Sequence, residues 1–232
     1  MFDIGKSVAT PLSAALMLAA LGSCAGDPTA TEPTRTDEGT AQAEIRAKVP
    51  AVGYHDEWRV LWEDHITWTR MVIVAIFNDL PGTDPYIARL LQNYEDMEDA
   101  LLPYYDEEDV EEFGDLLLEH LTIAAAILVA VRDGEDATAA ELIADWRENA
   151  DALGAQMNEM NPSNWPLEET QAMWQEHLDV TLAEAIAHFN EDFTAEIAAW
   201  EQVHEGGLMM ADLFSDGVVA QFKPSFKNPN CL

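Results

Sequence analysis

Apolar residues recur every three or four positions along nearly the whole chain from about residue 52 onward, and no stretch alternates with period two. This spacing is typical of amphipathic helices. Glycine and proline collect between the periodic stretches, where helices end. The pattern predicts six helices, at residues 54–79, 84–103, 107–133, 137–159, 167–189 and 192–222.

The connections between the predicted helices are short. Asp84 followed by Pro85 is a good cap and first-turn pair, and Asp133 with Gly134 is typical of a helix end. Short connections favour antiparallel neighbours. We therefore expect an all-α antiparallel helical bundle, with four long core helices and two additional helices packed beside them. No repeat period and no second domain are evident.

Two adjacent glycines, Gly206 and Gly207, lie inside the otherwise strong helical pattern of the sixth helix. Two glycines there cost about 2 kcal/mol relative to alanine. Either the helix is kinked or bulged at this point, or a neighbouring element approaches it closely.

The N-terminus has the features of an export signal. Residues 8–23 form an apolar run that follows Lys6, is too short for a typical membrane span and ends in small residues. Its end, Leu21-Gly22-Ser23-Cys24, resembles the bacterial lipobox, in which cleavage leaves a lipid-modified cysteine. The alternative is an ordinary secreted protein with a cysteine at this position by chance.

This interpretation divides the chain into four parts. We expect a lipoprotein signal peptide at 1–23, a disordered tether at 24–51 that begins with the lipidated Cys24, a helical-bundle domain at 52–223 and a C-terminal tail at 224–232. The mature protein is then anchored on the extracytoplasmic side of the cell envelope, periplasmic or at the cell surface.

The charge of the chain excludes two classes of partner. Eleven Lys and Arg face 44 Asp and Glu, which gives a net charge of −33. Such a surface repels nucleic acid and anionic lipid headgroups, because both are bound by neutralising phosphates with cationic side chains. We expect contact with the membrane through the lipid anchor and no nucleic-acid partner; the pattern identifies no protein partner.

Four histidines lie on the apolar stripes of four different predicted helices, so their imidazoles should point into the bundle. They are His65, His120, His177 and His204. The same stripes carry the carboxylates Glu184, Glu201 and Asp212. Each buried polar group without a partner costs about 1–3 kcal/mol, so these side chains must satisfy one another or a ligand.

Imidazole and carboxylate groups on facing helices are the ligand set of transition metals. We therefore expect a site for an ion such as Fe, Zn or Cu. The candidate ligands are His65, His120, His177, His204, Glu184, Glu201 and Asp212. The candidate hydrogen-bonding partners of these ligands are Thr69, Arg70, Asn93, Asp96, Asn149 and Thr181.

The alternatives to this metal site remain open. A metal-free polar core would serve a structural, ligand-binding or interaction protein of the envelope. A metal ion with an open coordination position would fit an enzyme. A metal ion with a closed coordination shell would fit a storage or sensing protein. Glu201-x-x-His204 is a single Glu-x-x-His motif, whereas a ferritin-like di-iron site needs two on different helices.

Several motifs occur in a fixed order along the domain. They are Trp62-x-x-His65-x-x-Trp68-Thr69-Arg70, Glu119-His120-x-x-Ile123-Ala124, Trp146-x-x-Asn149-Ala150-Asp151, Asn161-Pro162-x-x-Trp165-Pro166, His177-Leu178-x-x-Thr181-x-x-Glu184-Ala185, and Val203-His204 followed by Met210-Ala211-Asp212. The chain thereby resembles a family of uncharacterised bacterial helical-bundle proteins. The resemblance implies the bundle fold and brings no activity with it.

Overall fold

The computed structural model describes residues 50–226. The predicted signal peptide, the predicted lipid attachment site Cys24 and nearly all of the predicted tether lie outside this range, as does the end of the C-terminal tail.

Six long helices make up the described part of the chain, and no β-strand element occurs between residues 50 and 226. They are α1 (Ala51–Phe77), α2 (Thr83–Leu101), α3 (Glu107–Arg132), α4 (Asp136–Met160), α5 (Leu167–Phe189) and α6 (Phe193–Gln221), followed by a short 3₁₀ turn at Lys223–Ser225. The prediction of an all-α bundle is confirmed, and the predicted helix ends agree with the observed ones to within three residues.

The helices close into a ring around a large apolar core, with a second, smaller apolar cluster beside it. Each helix packs on the next one in sequence, and α6 returns to pack on α1. In the centre, α1 also touches α3 and α5. All six helices contribute to the same apolar core, in which Trp58, Trp62, Trp165 and Trp174 are fully buried. Large aromatic side chains of this kind dominate the apolar area that a core removes from water.

Helix α6 runs unbroken through its paired glycines. A Cβ atom on Gly207 would lie 3.1 Å from Cγ2 of Ile66, whereas one on Gly206 would meet nothing within 4 Å. Of the two explanations for the pair, close approach of a neighbour therefore applies to Gly207. Gly206 faces open space instead.

Helix α3 is long and apolar enough to cross a membrane by length and composition, with a mean hydropathy of 1.8 in its most apolar window. Core helices of soluble domains meet the same criterion. Here α3 packs between α2 and α4 and carries the buried His120.

A buried histidine cluster as candidate metal centre

Three of the four inward-predicted histidines meet in the core. His65 on α1, His120 on α3 and His177 on α5 are 2%, 1% and 6% exposed, respectively. One ring nitrogen of each lies within 4.8 Å of the corresponding nitrogens of the other two. We call these residues the histidine triad.

His65 is held by an asparagine of the next helix. Its Nδ1 lies 2.9 Å from Oδ1 of Asn93, and the amide nitrogen of Asn93 donates to the carbonyl oxygen of Leu61 at 2.9 Å. Since the amide nitrogen is used as a donor, Oδ1 accepts from Nδ1–H of His65. The lone pair of His65 is then on Nε2.

His120 repeats this arrangement. Its Nδ1 lies 3.2 Å from Oδ1 of Asn149, whose amide nitrogen donates to the carbonyl oxygen of Leu116 and to Glu119, each at 3.0 Å. In both cases the asparagine donates to the carbonyl oxygen four residues before the histidine. The hydrogen bond thereby fixes the tautomer and orientation of the ring, as partners of metal-bound histidines do.

All three imidazoles are neutral at neutral pH. Burial lowers the pKa of His65 to about 4, and burial together with the neighbouring His65 lowers the pKa of His120 to about 3. Burial also holds the pKa of His177 well below its usual value. Neutral imidazole is the form that binds metal ions.

The three histidines occupy equivalent places in three successive helical hairpins, α1–α2, α3–α4 and α5–α6, at spacings of 55 and 57 residues. Three residues before them stand the buried Trp62, Leu117 and Trp174, and four residues after them stand Thr69, Ala124 and Thr181, which line one cavity. The sequence alone shows no repeat period, and the structure indicates one in the placement of the three histidines. The repeat is not visible in the sequence because, of the three positions compared, only the histidine is the same residue in all three hairpins.

The second helices of the hairpins extend the repeat. Asn93 and Asn149 stand 28 and 29 residues after their histidines, and Gly206 stands 29 residues after His177. Buried apolar residues follow at four and eight residues beyond each of these positions: Met97, Leu153 and Met210, then Leu101, Met157 and Phe214. The third hairpin therefore has a glycine in the place of the asparagine. Neither ring nitrogen of His177 has a hydrogen-bond partner among residues 50–226.

A cavity of about 30 Å³ adjoins the triad and is otherwise almost wholly apolar in its lining. The exceptions are Thr69, Thr181 and Trp146, whose indole nitrogen is buried without a hydrogen-bond partner in the described part of the chain. The hydroxyl of Thr69 donates to the carbonyl oxygen of His65 at 2.7 Å, as threonines inside helices commonly do. The buried hydroxyl of Thr181 has no partner in the described part of the chain. The cavity thus offers one free hydroxyl beside three imidazoles.

Arg70 and Glu184 belong to a separate network of charged side chains. Arg70 on α1 donates to Glu184 on α5 and, at 2.6 Å, to Glu196 on α6, and its guanidinium lies 4.9 Å from the ring centre of Trp200. The Nδ1 atom of His188 lies 3.2 Å from the second carboxylate oxygen of Glu196. Burial raises the pKa of Glu184 to about 7, and Arg70 acts in the opposite direction. We call Arg70, Glu184, Glu196 and His188 the charge network.

His204 does not join the triad, contrary to expectation. Its side chain is 41% exposed and its Nε2 lies 2.8 Å from an oxygen of Glu63. The inward stripe of α6 passes through Val203 and Gly207, so the next residue after Val203 is turned away by about 100°. Glu201 is exposed on the same helix.

Two further predicted residues lie in surface ion pairs. Asp212 accepts from Arg59 at 2.8 Å through both oxygens and lies 2.9 Å from Nε2 of His55. Asp96 lies 3.7 Å from a guanidinium nitrogen of Arg89. Asp212 and Asp96 therefore have partners of their own away from the triad.

The sequence pattern singles out neither Glu196 nor His188. The side chain of His188 is only 10% exposed, and its ring stacks on Phe77. Glu196 lies in the first turn of α6, where a carboxylate is ordinarily explained by the helix dipole. The available signal was the presence of Arg70 on an apolar stripe, which calls for a buried carboxylate on a facing helix.

Comparisons with family models, with curated proteins and with solved structures give no match for this chain.

Proposed function

We propose that the protein binds a transition-metal ion through the histidine triad. The observation that carries this proposal is the convergence of three buried, neutral imidazoles, with one ring nitrogen of each within 4.8 Å of the other two. Imidazole nitrogens bind Zn, Fe, Cu and Ni. The nitrogens, within 4.8 Å of one another, need to close to about 3.4 Å, the edge of a tetrahedral zinc site.

The supporting residues fit such an ion. Asn93 and Asn149 hold two of the ligands in the tautomer that directs Nε2 away from the amide. Three protein ligands leave a fourth position for water or another small ligand. The 30 Å³ cavity and the free hydroxyl of Thr181 lie beside the triad, where such a ligand needs space and a hydrogen bond.

The competing function is a metal-free polar core that holds water. A cavity of about 30 Å³ has room for one or two water molecules, which would donate to the imidazole nitrogens. This alternative gives the protein a structural or interaction role. It predicts that added metal changes neither the composition nor the stability of the protein.

Elemental analysis of full-length protein, purified without a His tag and without chelator, separates the two. We expect one transition-metal ion per chain, lost in His120→Ala and in His177→Ala. A hundredfold excess of ion over the dissociation constant should raise the free energy of unfolding by about 2.7 kcal/mol. Wild-type protein that takes up no Fe, Cu or Zn and melts at the same temperature with and without them would overturn the proposal.

His204→Ala is the matched control. It removes an imidazole that the sequence also places on an inward stripe but that the structure places beside Glu63. The variant should retain the ion in full. Loss of metal in this variant as well would indicate binding outside the triad.

We further propose that the domain is held on the extracytoplasmic side of the envelope through Cys24. The support is the sequence Leu21-Gly22-Ser23-Cys24 at the end of the apolar run. Cys24→Ala should release the domain from the membrane fraction of the producing cells. An unprocessed variant that stays in the membrane would point to a retained signal anchor instead.

A further inference from the structure

The third hairpin differs from the other two at one position, and the difference opens a cleft. Gly206 stands where Asn93 and Asn149 stand in the first two hairpins, and a Cβ atom on it would meet nothing within 4 Å. A cleft of about 130 Å³ lies at this point, and both Gly206 and His177 line it. His177 also lines the 30 Å³ cavity of the triad. His177 is therefore the residue that lines both the cleft and the cavity of the triad.

Three of the nine methionines of the chain line this cleft at different depths. Met209 is 56% exposed, Met173 is partly buried and Met210 is 1% exposed. Thioether sulfur is therefore available from the solvent to the neighbourhood of His177. Thioethers are soft ligands that favour Cu(I) among the ions found in proteins, whereas Zn(II) is held by imidazole, thiolate and carboxylate.

The outer part of the cleft is acidic. The exposed Glu176 and Glu205 belong to its lining, on a chain with a net charge of −33. A negatively charged cleft raises the local concentration of cations and repels anions. The negative charge of the cleft therefore favours the approach of a metal cation.

We propose that the cleft beside Gly206 is the route by which Cu(I) reaches the histidine triad, with Met209, Met173 and Met210 as transient sulfur ligands and His177 as the first triad ligand. This inference rests on the proposed function, and it names the ion. The missing asparagine leaves His177 free to receive the ion from the side of the cleft, while His65 and His120 remain fixed by their amides.

The first test closes the cleft. Full-length protein is mixed without oxygen with the coloured Cu(I)–bicinchoninate complex, and the loss of colour gives the rate and extent of transfer. Gly206→Asn puts back the amide of the other hairpins, and we expect transfer at least tenfold slower with an equilibrium affinity no weaker than that of wild type. Ala198→Asn, at an exposed position of α6, is the control and should transfer at the wild-type rate.

The second test removes the sulfur and keeps the volume. The double variant Met173→Leu with Met209→Leu should slow Cu(I) transfer at least tenfold and leave Zn(II) uptake from a coloured chelator unchanged, since zinc does not use thioethers. Met71→Leu, outside the cleft, is the control. Circular dichroism of every variant verifies that the helical fold is retained.

The outcomes separate this inference from the proposed function. If wild-type protein binds one Cu(I) and neither set of variants slows transfer, the cleft is not the route, and the metal site stands. If the double variant slows Cu(I) and Zn(II) equally, the assignment of copper is wrong. If wild-type protein binds neither ion, the proposed function and the inference both fail.

Discussion

The histidine triad and the charge network are two buried polar clusters on the same helices. The two clusters differ in how their buried polar groups are paired. His65 and Arg70 both lie on α1, about 8 Å apart along the axis, and His177 and Glu184 both lie on α5, about 10 Å apart. In the charge network, Arg70 supplies the positive charge and the donors that Glu184 and Glu196 need. In the triad, three neutral rings face one another and no charged side chain of residues 50–226 lies among them.

This difference distinguishes a cluster that supports the fold from one that is suited to a ligand. The charge network leaves two buried atoms without a hydrogen bond in the described part of the chain, one oxygen of Glu184 and Nδ1 of His188, and the latter lies 3.2 Å from an oxygen of Glu196. Its contribution is to tie α1, α5 and α6 together. The triad has its outer nitrogens fixed by Asn93 and Asn149 but lacks an internal partner for its inner ones. Under the proposed function, a bound ion would supply that partner.

The largest expected effect comes from breaking the charge network. Arg70→Leu leaves two buried carboxylates without a cation, and removing one partner of a buried ion pair typically costs about 3–5 kcal/mol. We expect a loss of this size in the free energy of unfolding, measured by urea denaturation of the metal-free protein. Arg59→Leu, which breaks the exposed pair with Asp212, should cost at most about 1 kcal/mol. Equal losses in both variants would contradict the distinction between the two regions.

A second effect, on the order of 3 kcal/mol, is the pH dependence that Glu184 gives to stability. The pKa of Glu184 is about 7 in the fold, against an ordinary value of 4.5. Between these pH values the folded state keeps a proton that the unfolded state has released, so the free energy of unfolding falls as the pH rises from about 4.5 to about 7. Glu184→Gln should remove this fall in the metal-free protein. Glu201→Gln, at an exposed position, should keep the wild-type curve, and a Glu184→Gln curve with the wild-type slope would show that another group is responsible.

The smallest effect is the one that amide support has on metal affinity. Asn93→Ala and Asn149→Ala each free one ligand ring, and loss of such a partner typically weakens metal binding 10–100-fold. Competition with a chelator of known affinity measures this change. Asn158→Ala, which removes a hydrogen bond to the carbonyl oxygen of Trp165, controls for general loss of stability and should bind metal like wild type. Unchanged affinity in the Asn93 and Asn149 variants would argue against the triad as the site.

The helical periodicity of the sequence predicts most of the fold and part of the candidate metal site. It predicts six helices and the inward direction of His65, His120 and His177, because every turn of those stripes is apolar. It is wrong for His204, because α6 is apolar over a wide arc and Val203 occupies the inward position next to it. Pairings such as Arg70 with Glu196 depend on how two helices are rotated against each other, and the spacing within one helix holds no information on that rotation.

The closure of the ring by α6 on α1 has a consequence for how the chain is cut and assembled. The first and last helices are neighbours in space, so the ends of the bundle lie in one region although almost the whole domain separates them in sequence. The triad takes one residue from each hairpin, so it is complete only when the final hairpin has docked and its long-range contacts have formed. New chain ends at the turns 102–106 or 161–166 would leave every hairpin whole, which makes those turns the natural points for circular permutation.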